Sequence, residues 1–299
     1  MRPIHPDKVA AVFITYMPTG DFVANVNKLF AQGVGEAIIV DNTPGDQFFS
    51  TLCFDLFDHP PRVVRNNENL GIACALNIGV SLARDLGYSW VVTFDQDTDV
   101  TPHFVSQMLR IYERIAASSL RPVAVLGANY YNQVFRVPAH AVDTEQEAVE
   151  VKEVITSGSL LSVAAFSSLG GFAEKLFIDM VDTEYCFRAR QAGGAVWRTS
   201  QPLMVHSLGR LTPRRIWRYC FNLSNHAPQR RYYIFRNTLY MVGRYFGFEP
   251  HWAMQMVFSY LPKTLVKACV FETNRWENFK YILRGIRDAV LSRYDRNCL

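Results

Sequence analysis

Residues 88–100 read YSWVVTFDQDTDV: a mostly apolar run, Tyr88 to Phe94, passes straight into Asp95, Asp97 and Asp99, spaced two apart. A buried strand does not ordinarily end this way, because like charges so close repel and must be compensated. A solvated turn, or an N-cap for a helix starting near Thr101-Pro102, accounts for an acid at this place. Asp99 is read as that helix-entry residue. Asp95 and Asp97 are left for the rest of the chain to decide.

Working outward from this run, short β-branched stretches alternate with helical patterns through residue 206. Strands are expected at 8–16 (KVAAVFITY), 36–41 (EAIIVD), 61–66 (PRVVRN), 89–94 and 122–128 (PVAVLGA). Between them, Phe22, Val26 and Leu29-Phe30 mark one face of a helix over 21–32. Ile72, Ala75-Leu76, Val80 and Ala83 do the same for a helix over 70–86, and another is expected over about 102–117. Strand–helix alternation predicts an α/β fold whose mixed, mostly parallel central sheet carries helices on both faces. Ligands of such sheets sit beyond the carboxyl ends of the strands, where Asp41, Asn66 and Asp95 fall. The polar run 140–153 (HAVDTEQEAVEVKE) predicts a surface hairpin or loop, and from 213 onward the pattern is helical.

Composition narrows the classes. With 49% hydrophobic and 19% charged residues in 299, the chain is long enough for a large folded domain plus an extension. Six cysteines without CxxC or Cys/His spacing predict packed thiols in a reducing compartment. The apolar run near the N-terminus reads as a first strand, and no stretch reaches the roughly 18 apolar residues of a membrane span. The net charge of +4 is asymmetric: residues 207–299 hold 16 Lys/Arg against 5 Asp/Glu, leaving −7 for residues 1–206. An acidic front and a basic, aromatic back predict different partners. There is no GxGxxG after the first strand, no GxxxxGK[ST], no HExxH and no GxSxG, which counts against dehydrogenase, P-loop, zincin and serine-hydrolase readings.

A D-x-D triplet at a strand end can hold a hard divalent cation, with water and substrate phosphates filling the other positions. Taken with VFITYMP (12–18), VDN (40–42), NNENLGIACALNIGV (66–80), WVVTFDQDT (90–98), TSGSLLS (156–162) and FIDMVDTEYCFRARQAGG (177–194), it makes the chain resemble the family 2 glycosyltransferases of GT-A fold, in their rhamnosyltransferase-like branch. RRYYIFRN (230–237) resembles a segment that follows the catalytic core in that branch. The resemblance implies a nucleotide-sugar-binding and catalytic domain over 1–210 and a basic, aromatic helical region over 211–299.

It also implies roles. Asp41 would accept from the base of a nucleotide-sugar; an Asx turn in DNTPGD is its alternative. Thr15, Tyr16, Asn67, Asn69, Gly71, Asp95, Gln96 and Arg210 would join the nucleotide-sugar set, although Asn69 also suits a helix cap. Asp95, Asp97 and His206 would bind Mg2+ or Mn2+, with His206 otherwise a satisfied polar residue. Ser157, Gly158 and Asp179 would lie on the acceptor side. The family's general base usually follows a Glu; here Val181 stands in the Glu position and Asp182 is the expected base, with Asp179 as alternate. Glu184 and Arg188, one helical turn apart, read as a structural pair.

These roles imply an inverting transfer: a base takes the acceptor's proton, the sugar passes through an oxocarbenium-like state, and charge collects on the departing diphosphate. The implied donor is dTDP-β-L-rhamnose and the implied acceptor a lipid-linked glycan of cell-surface polysaccharide synthesis. A UDP-hexose or galactofuranose transferase, a nucleotidyltransferase or sugar-nucleotide hydrolase, and an inactive glycan- or partner-binding scaffold are the alternatives. The basic, aromatic back predicts a cytoplasmic protein peripheral to the inner face of the cytoplasmic membrane, or a homodimer contact, and no nucleic acid.

Overall fold

Val9–Thr15 form β1 with all seven residues buried, as β-branched and aromatic residues do in a strand covered on both faces. The computed structural model describes residues 4–18, 21–45, 54–133, 135–206, 212–216, 219–223 and 226–294. They belong to two units, one of residues 1–173 and 182–207, the other of 174–181 and 208–299. In the first, β1 is followed by α1 (Asp21–Phe30), β2 (Glu36–Asp41), β3 (Arg62–Arg65), α2 (Ile72–Asp85), β4 (Trp90–Asp95), β5 (Asp99–Val100) and α3 (Phe104–Ser118). Then come β6 (Val123–Asn132), β7 (Ala148–Glu150), β8 (Ser159–Ser162), α4 (Val163–Leu169), α5 (Val181–Gln191) and β9 (Ala195–His206).

The strands form one mixed sheet in the order β3-β2-β1-β4-β8-β6-β9-β5, with β7 also on β9. β3, β2, β1 and β4 are parallel, as are β6 and β9. β8 runs antiparallel between β4 and β6. Alternation along β1 sets the two faces. Val9, Ala11 and Phe13 join a core with Phe22, Val26 and Leu29 of α1 and Phe104 and Met108 of α3. Val12 points the other way, to α2, where a Cβ on Gly79 would lie 2.4 Å from Val12 Cγ1 and 3.2 Å from Val40 Cγ2. Glycine there lets the helix sit on the sheet, so helices cover both faces. The expected α/β architecture is the one observed.

Two local readings change. Asp99 does not open a helix: it pairs in β5 with Val205 of β9, and its carboxylate meets Lys28, while α3 begins five residues later. Of the stretch 213–222, expected to be helical, residues 213–216 and 219–222 lie in a two-stranded antiparallel sheet of β10 (Thr212–Ile216) and β11 (Tyr219–Leu223), register Thr212↔Leu223 to Ile216↔Tyr219. Ile216, Tyr219 and Phe221 are residue types that favour a pleated ladder over a helix. Of the polar run, 148–150 pair as β7 with β9 and the rest is loop.

The main helices of the second unit are α6 (Pro228–Tyr245), α7 (Pro250–Gln255), α8 (Leu261–Val266) and α9 (Arg275–Val290), with π-helical turns at Met256–Tyr260 and Lys267–Phe271. Ile234, Phe235, Leu261, Ala268 and Ile282 form its apolar core. Arg231 and Glu272 are a buried ion pair at 2.5 Å. His226 is held neutral by burial and by Arg230 and Arg231, its pKa lowered to about 4. The unfolded ring takes its proton near 6.5, so between pH 6.5 and 4 the unfolded state binds more protons and stability falls as pH drops. Urea unfolding at pH 7 and 4.5 should show wild type losing about 2 kcal/mol more than His226→Asn. Equal losses would contradict this.

Candidate functional site

Because β1 lies between β2 and β4, three polar residues reach one edge of the sheet: Thr15 pairs with Asp41, and Ile14 with Asp95. This edge is the carboxyl end of the parallel strands, where α/β sheets bind ligands. Asp41 is fully buried. Its Oδ1 accepts from Thr15 Oγ1 (2.9 Å), Thr43 Oγ1 (2.7 Å) and Thr43 N–H (3.3 Å). Its Oδ2 is buried with no hydrogen-bond partner among the described residues. A buried carboxylate oxygen left unpaired is costly, so this orphan acceptor is suited to a donor on a ligand. The Thr43 bonds give Asp41 an Asx-type turn as well, so both readings of DNTPGD coexist in one residue.

The carboxylates that opened the sequence reading converge with an imidazole. Donor atoms of Asp95, Asp97 and His206 lie within 4.8 Å of one another. His206, at the end of β9, approaches Asp95 Oδ2 through Nε2 (3.7 Å) and Asp97 Oδ1 through Nδ1 (3.6 Å). The ring is buried, with Tyr130 edge-on at 5.6 Å, whereas both carboxylates are partly exposed. Two carboxylates and one imidazole with an open side fit a divalent cation of the Mg2+ to Mn2+ type.

Behind this trio lies a brace that sequence reasoning missed. Ser157 Oγ accepts from Asp95 N–H (3.1 Å) and shares a hydrogen bond with Thr98 Oγ1 (2.5 Å), which also meets His206 Nδ1 (3.0 Å). Ser157, expected on the acceptor side, is buried and fixes the aspartate turn. The adjoining Gly158 has φ +71°, and a Cβ there would lie 2.4 Å from Met204 Sδ, so only glycine fits. Thr98 stood beside the D-x-D, but nothing in its type marked it as a link to a histidine 108 residues away.

The remaining nucleotide-side candidates are arranged on the neighbouring loops. Gln96 Oε1 accepts from Tyr16 N–H (2.7 Å), tying the aspartate turn to the end of β1. Asn66 Nδ2 donates to Asn42 Oδ1 (2.8 Å), and Asn42 Nδ2 to Gly71 O (3.2 Å), so the turn after β2 is stitched to the entry of α2. Asn69 Oδ1 accepts from Gly71 N–H (3.0 Å), an Asx-type turn ahead of the helix; the N-cap of α2 is Gly71, so Asn69 is not the cap. Asn67 is left-handed at φ +56°. Arg210 lies outside the described residues.

Asp182 sits in the first turn of α5, its Oδ1 accepting from Thr183 N–H (2.8 Å). It lines a small cavity with Tyr185 and with Thr93 and Thr156, which stand two residues and one residue before Asp95 and Ser157 in the chain. Burial raises the Tyr130 phenol, Arg198 opposes this, and the charge of Asp182 adds to the rise. Tyr130 therefore senses Asp182 while packing on His206. Glu184 is buried and bound by Arg188 through Nε (3.0 Å) and Nη2 (2.8 Å), and Arg188 also binds Gly171 O (2.6 Å). That pair is structural, as expected. Asp179, in the second unit, is held by Arg230, and Val181 is buried.

Comparison with known proteins bears on this arrangement. Residues 20–165 match the model of the family described as Glycosyl transferase family 2. The chain is 27% identical over 297 residues to dTDP-rhamnosyl transferase RfbF of Shigella flexneri, covering 94% of this chain and 95% of that protein. Among solved structures it is similar to S. aureus TarS 1-349 in complex with UDP, TM-score 0.59 at 12% identity over 97% of this chain and 89% of that one. A second TarS structure gives a TM-score of 0.51 at 12% identity, over 94% and 55%. The structural likeness extends to the fold.

Proposed function

We propose that the chain is a family 2 glycosyltransferase that moves L-rhamnose from dTDP-β-L-rhamnose to a hydroxyl of a lipid-linked glycan, inverting the anomeric centre. The choice of donor leans on the whole-length likeness to the Shigella protein. The observation that carries the nucleotide half is Asp41, whose buried, unpaired Oδ2 suits the imide N–H of thymine. Two strand spacings, about 10 Å, separate Asp41 from Asp95, a gap that a nucleoside diphosphate bridges. Asp95, Asp97 and His206 would hold Mg2+ or Mn2+ at the diphosphate end. When bound, the cation supplies positive charge against the departing diphosphate.

The chain's own groups do the rest. Ser157 and Thr98 hold the aspartate turn before substrate arrives, so little reorganisation is needed. Asp182 takes the proton of the acceptor hydroxyl as that oxygen bonds the anomeric carbon and the bond to the diphosphate oxygen breaks. One displacement without a covalent intermediate inverts the configuration.

Thermal shift with Mn2+ and a panel of dTDP, UDP, GDP and ADP tests the nucleotide reading, since a ligand of the folded state raises its stability. A rise with dTDP is expected. A rise with UDP alone would move the donor to the UDP-sugars, and none with any nucleotide would sink the transferase reading. Asp41→Asn keeps the shape but removes the charged acceptor, and should weaken dTDP binding about 10- to 100-fold, or ~1.5–3 kcal/mol.

The second unit is proposed to meet an anionic membrane surface. Met254, Phe258, Val266 and Val270 recur at multiples of four along 250–271 and are exposed, Phe258 by 75%. In a pure α-helix that spacing drifts round the axis; the wider π turns at 256–260 and 267–271 counter the drift. On α9, Trp276, Phe279, Leu283 and Val290 form a second exposed stripe, with Lys280 against Trp276. Lys263, Lys267, Arg275, Lys280 and Arg287 are exposed in the same segments, against Glu277 alone among the exposed acids of 250–290. Apolar stripes together with cations suit acidic headgroups. No helix among the described residues is long and apolar enough to cross a membrane. Sedimentation with phosphatidylglycerol vesicles should capture the chain, and neutral phosphatidylcholine vesicles should not. Phe258→Asp with Trp276→Asp should cut capture at least about tenfold. Equal capture by both vesicle types, or a dimer that loses its partner in this variant, would contradict the membrane assignment.

A further inference from the structure

The loop ahead of α5 carries unusual backbone: Phe177 (φ +63°), Asp179 (+64°) and Met180 (+66°) are all left-handed, and none is glycine. Such residues persist only where surrounding groups over-determine them, and they gather at working sites. Here the determining groups come from α6, within the same unit. Asn237 Nδ2 donates to three backbone carbonyls, Leu176 O (2.7 Å), Ile178 O (2.7 Å) and Asp179 O (3.1 Å). Three carbonyls converge on one amide only if the chain between them turns back on itself, which the positive φ values accomplish. Arg236 sets the amide's direction: its Nε donates to Asn237 Oδ1 (2.9 Å), so the NH2 faces the loop. Its Nη2 adds a bond to Lys175 O (2.8 Å), and the guanidinium lies against the rings of Tyr232 and Tyr233 at 5.2 and 5.0 Å. Arg236 and Asn237 are both buried.

The grip continues along one helical face. Arg230 holds the Asp179 carboxylate (3.0 Å), Tyr233 stacks on Phe177 (4.8 Å), and Tyr240 receives Lys175 (4.2 Å). Positions 230, 233, 237 and 240 are spaced 3, 4 and 3, the period of one face of a helix. RRYYIFRN is thereby explained as a clamp on residues 175–179.

We propose that Asn237, oriented by Arg236, is a positioning residue for the transfer: it holds the left-handed turn that sets Asp179 against Arg230 and delivers the chain to the first turn of α5, where Asp182 lies. This rests on the reading of Asp182 as the base. Neither Arg236 nor Asn237 need touch substrate.

Three measurements on Asn237→Ala test it. Hydrogen exchange of a peptide spanning 175–182 should quicken, acceptor-dependent kcat should fall about 100-fold from misplacement, and the donor KM and the dTDP thermal shift should stay within about twofold, since donor groups lie elsewhere. Adding Met180→Gly, which accepts a positive φ without strain, should restore part of kcat without restoring any hydrogen bond. Unchanged exchange, kcat above half of wild type, or dTDP binding lost in parallel with kcat would each overturn the proposal. If Asn237→Ala does not accumulate but the double variant does, that is the rescue itself; if neither accumulates, Asn237 serves stability alone and the proposal fails. If wild type transfers no sugar to any acceptor, the proposed function falls while the exchange readout still reports on the clamp.

Discussion

Asp97→Ala is expected to lower sugar-transfer turnover by about 10³-fold, or ~4 kcal/mol of transition-state stabilisation, while the chain stays folded. Asp97 is partly exposed at the strand edge and contributes nothing to the core, so the loss should come from chemistry. Its Oδ1 lies 3.6 Å from His206 Nδ1, and it completes the only three-ligand cluster among the described residues. Removing it leaves one carboxylate and an imidazole, too few to keep a hard cation against water. Two accompaniments separate this from general damage. The thermal shift produced by Mn2+ with dTDP should vanish in the variant, and chelation should lower wild-type turnover to near the variant's level while lowering the variant little further. Groups that act as one unit are non-additive in this way. Turnover in Asp97→Ala within tenfold of wild type would remove the metal assignment.

Asp182→Asn is expected to lower kcat by about 10²–10⁴-fold, with the donor KM and dTDP binding nearly unchanged. The amide keeps the shape and the contact with Thr183 N–H but cannot take a proton. The loss should therefore sit in kcat and in the pH profile, whose acid limb should disappear. Asp179→Asn separates the two candidates. Asp179 is bound by Arg230, and its replacement should disturb that pair and cost less. A larger loss at Asp179 than at Asp182 would exchange their roles.

Much of the site was legible in the sequence because it lies at strand ends, and strand ends can be located from local periodicity. Asp41 and Asp95 follow directly from EAIIVD and WVVTFD, and the adjacency of β1 to both brings them to one edge. Long-range links were not legible. The bonds of Ser157 to Asp95 and of Thr98 to His206 span 62 and 108 residues, and serine and threonine are too common for their type to announce them. The β10–β11 pair was missed because arginines and aromatics at mixed spacing satisfy a helical template as well as a strand. Asp99 was misread because the acid before a Thr-Pro looks like a cap; pairing with β9 and an ion pair with Lys28 decided otherwise. RRYYIFRN was visible as a motif, but its purpose depended on the left-handed turn at 177–180, which no residue there announces.

Acceptor-dependent release of dTDP tests the account most directly. The protein is incubated with dTDP-β-L-rhamnose, Mn2+ and lipid-linked glycan extracted from bacterial membranes, and nucleotide release is followed with and without the lipid fraction. The account predicts release that requires the lipid fraction and yields an α-linked rhamnosyl product, both lost in Asp182→Asn. Release at the same rate without any acceptor, or an intact donor after prolonged incubation with every lipid fraction tried, would contradict it.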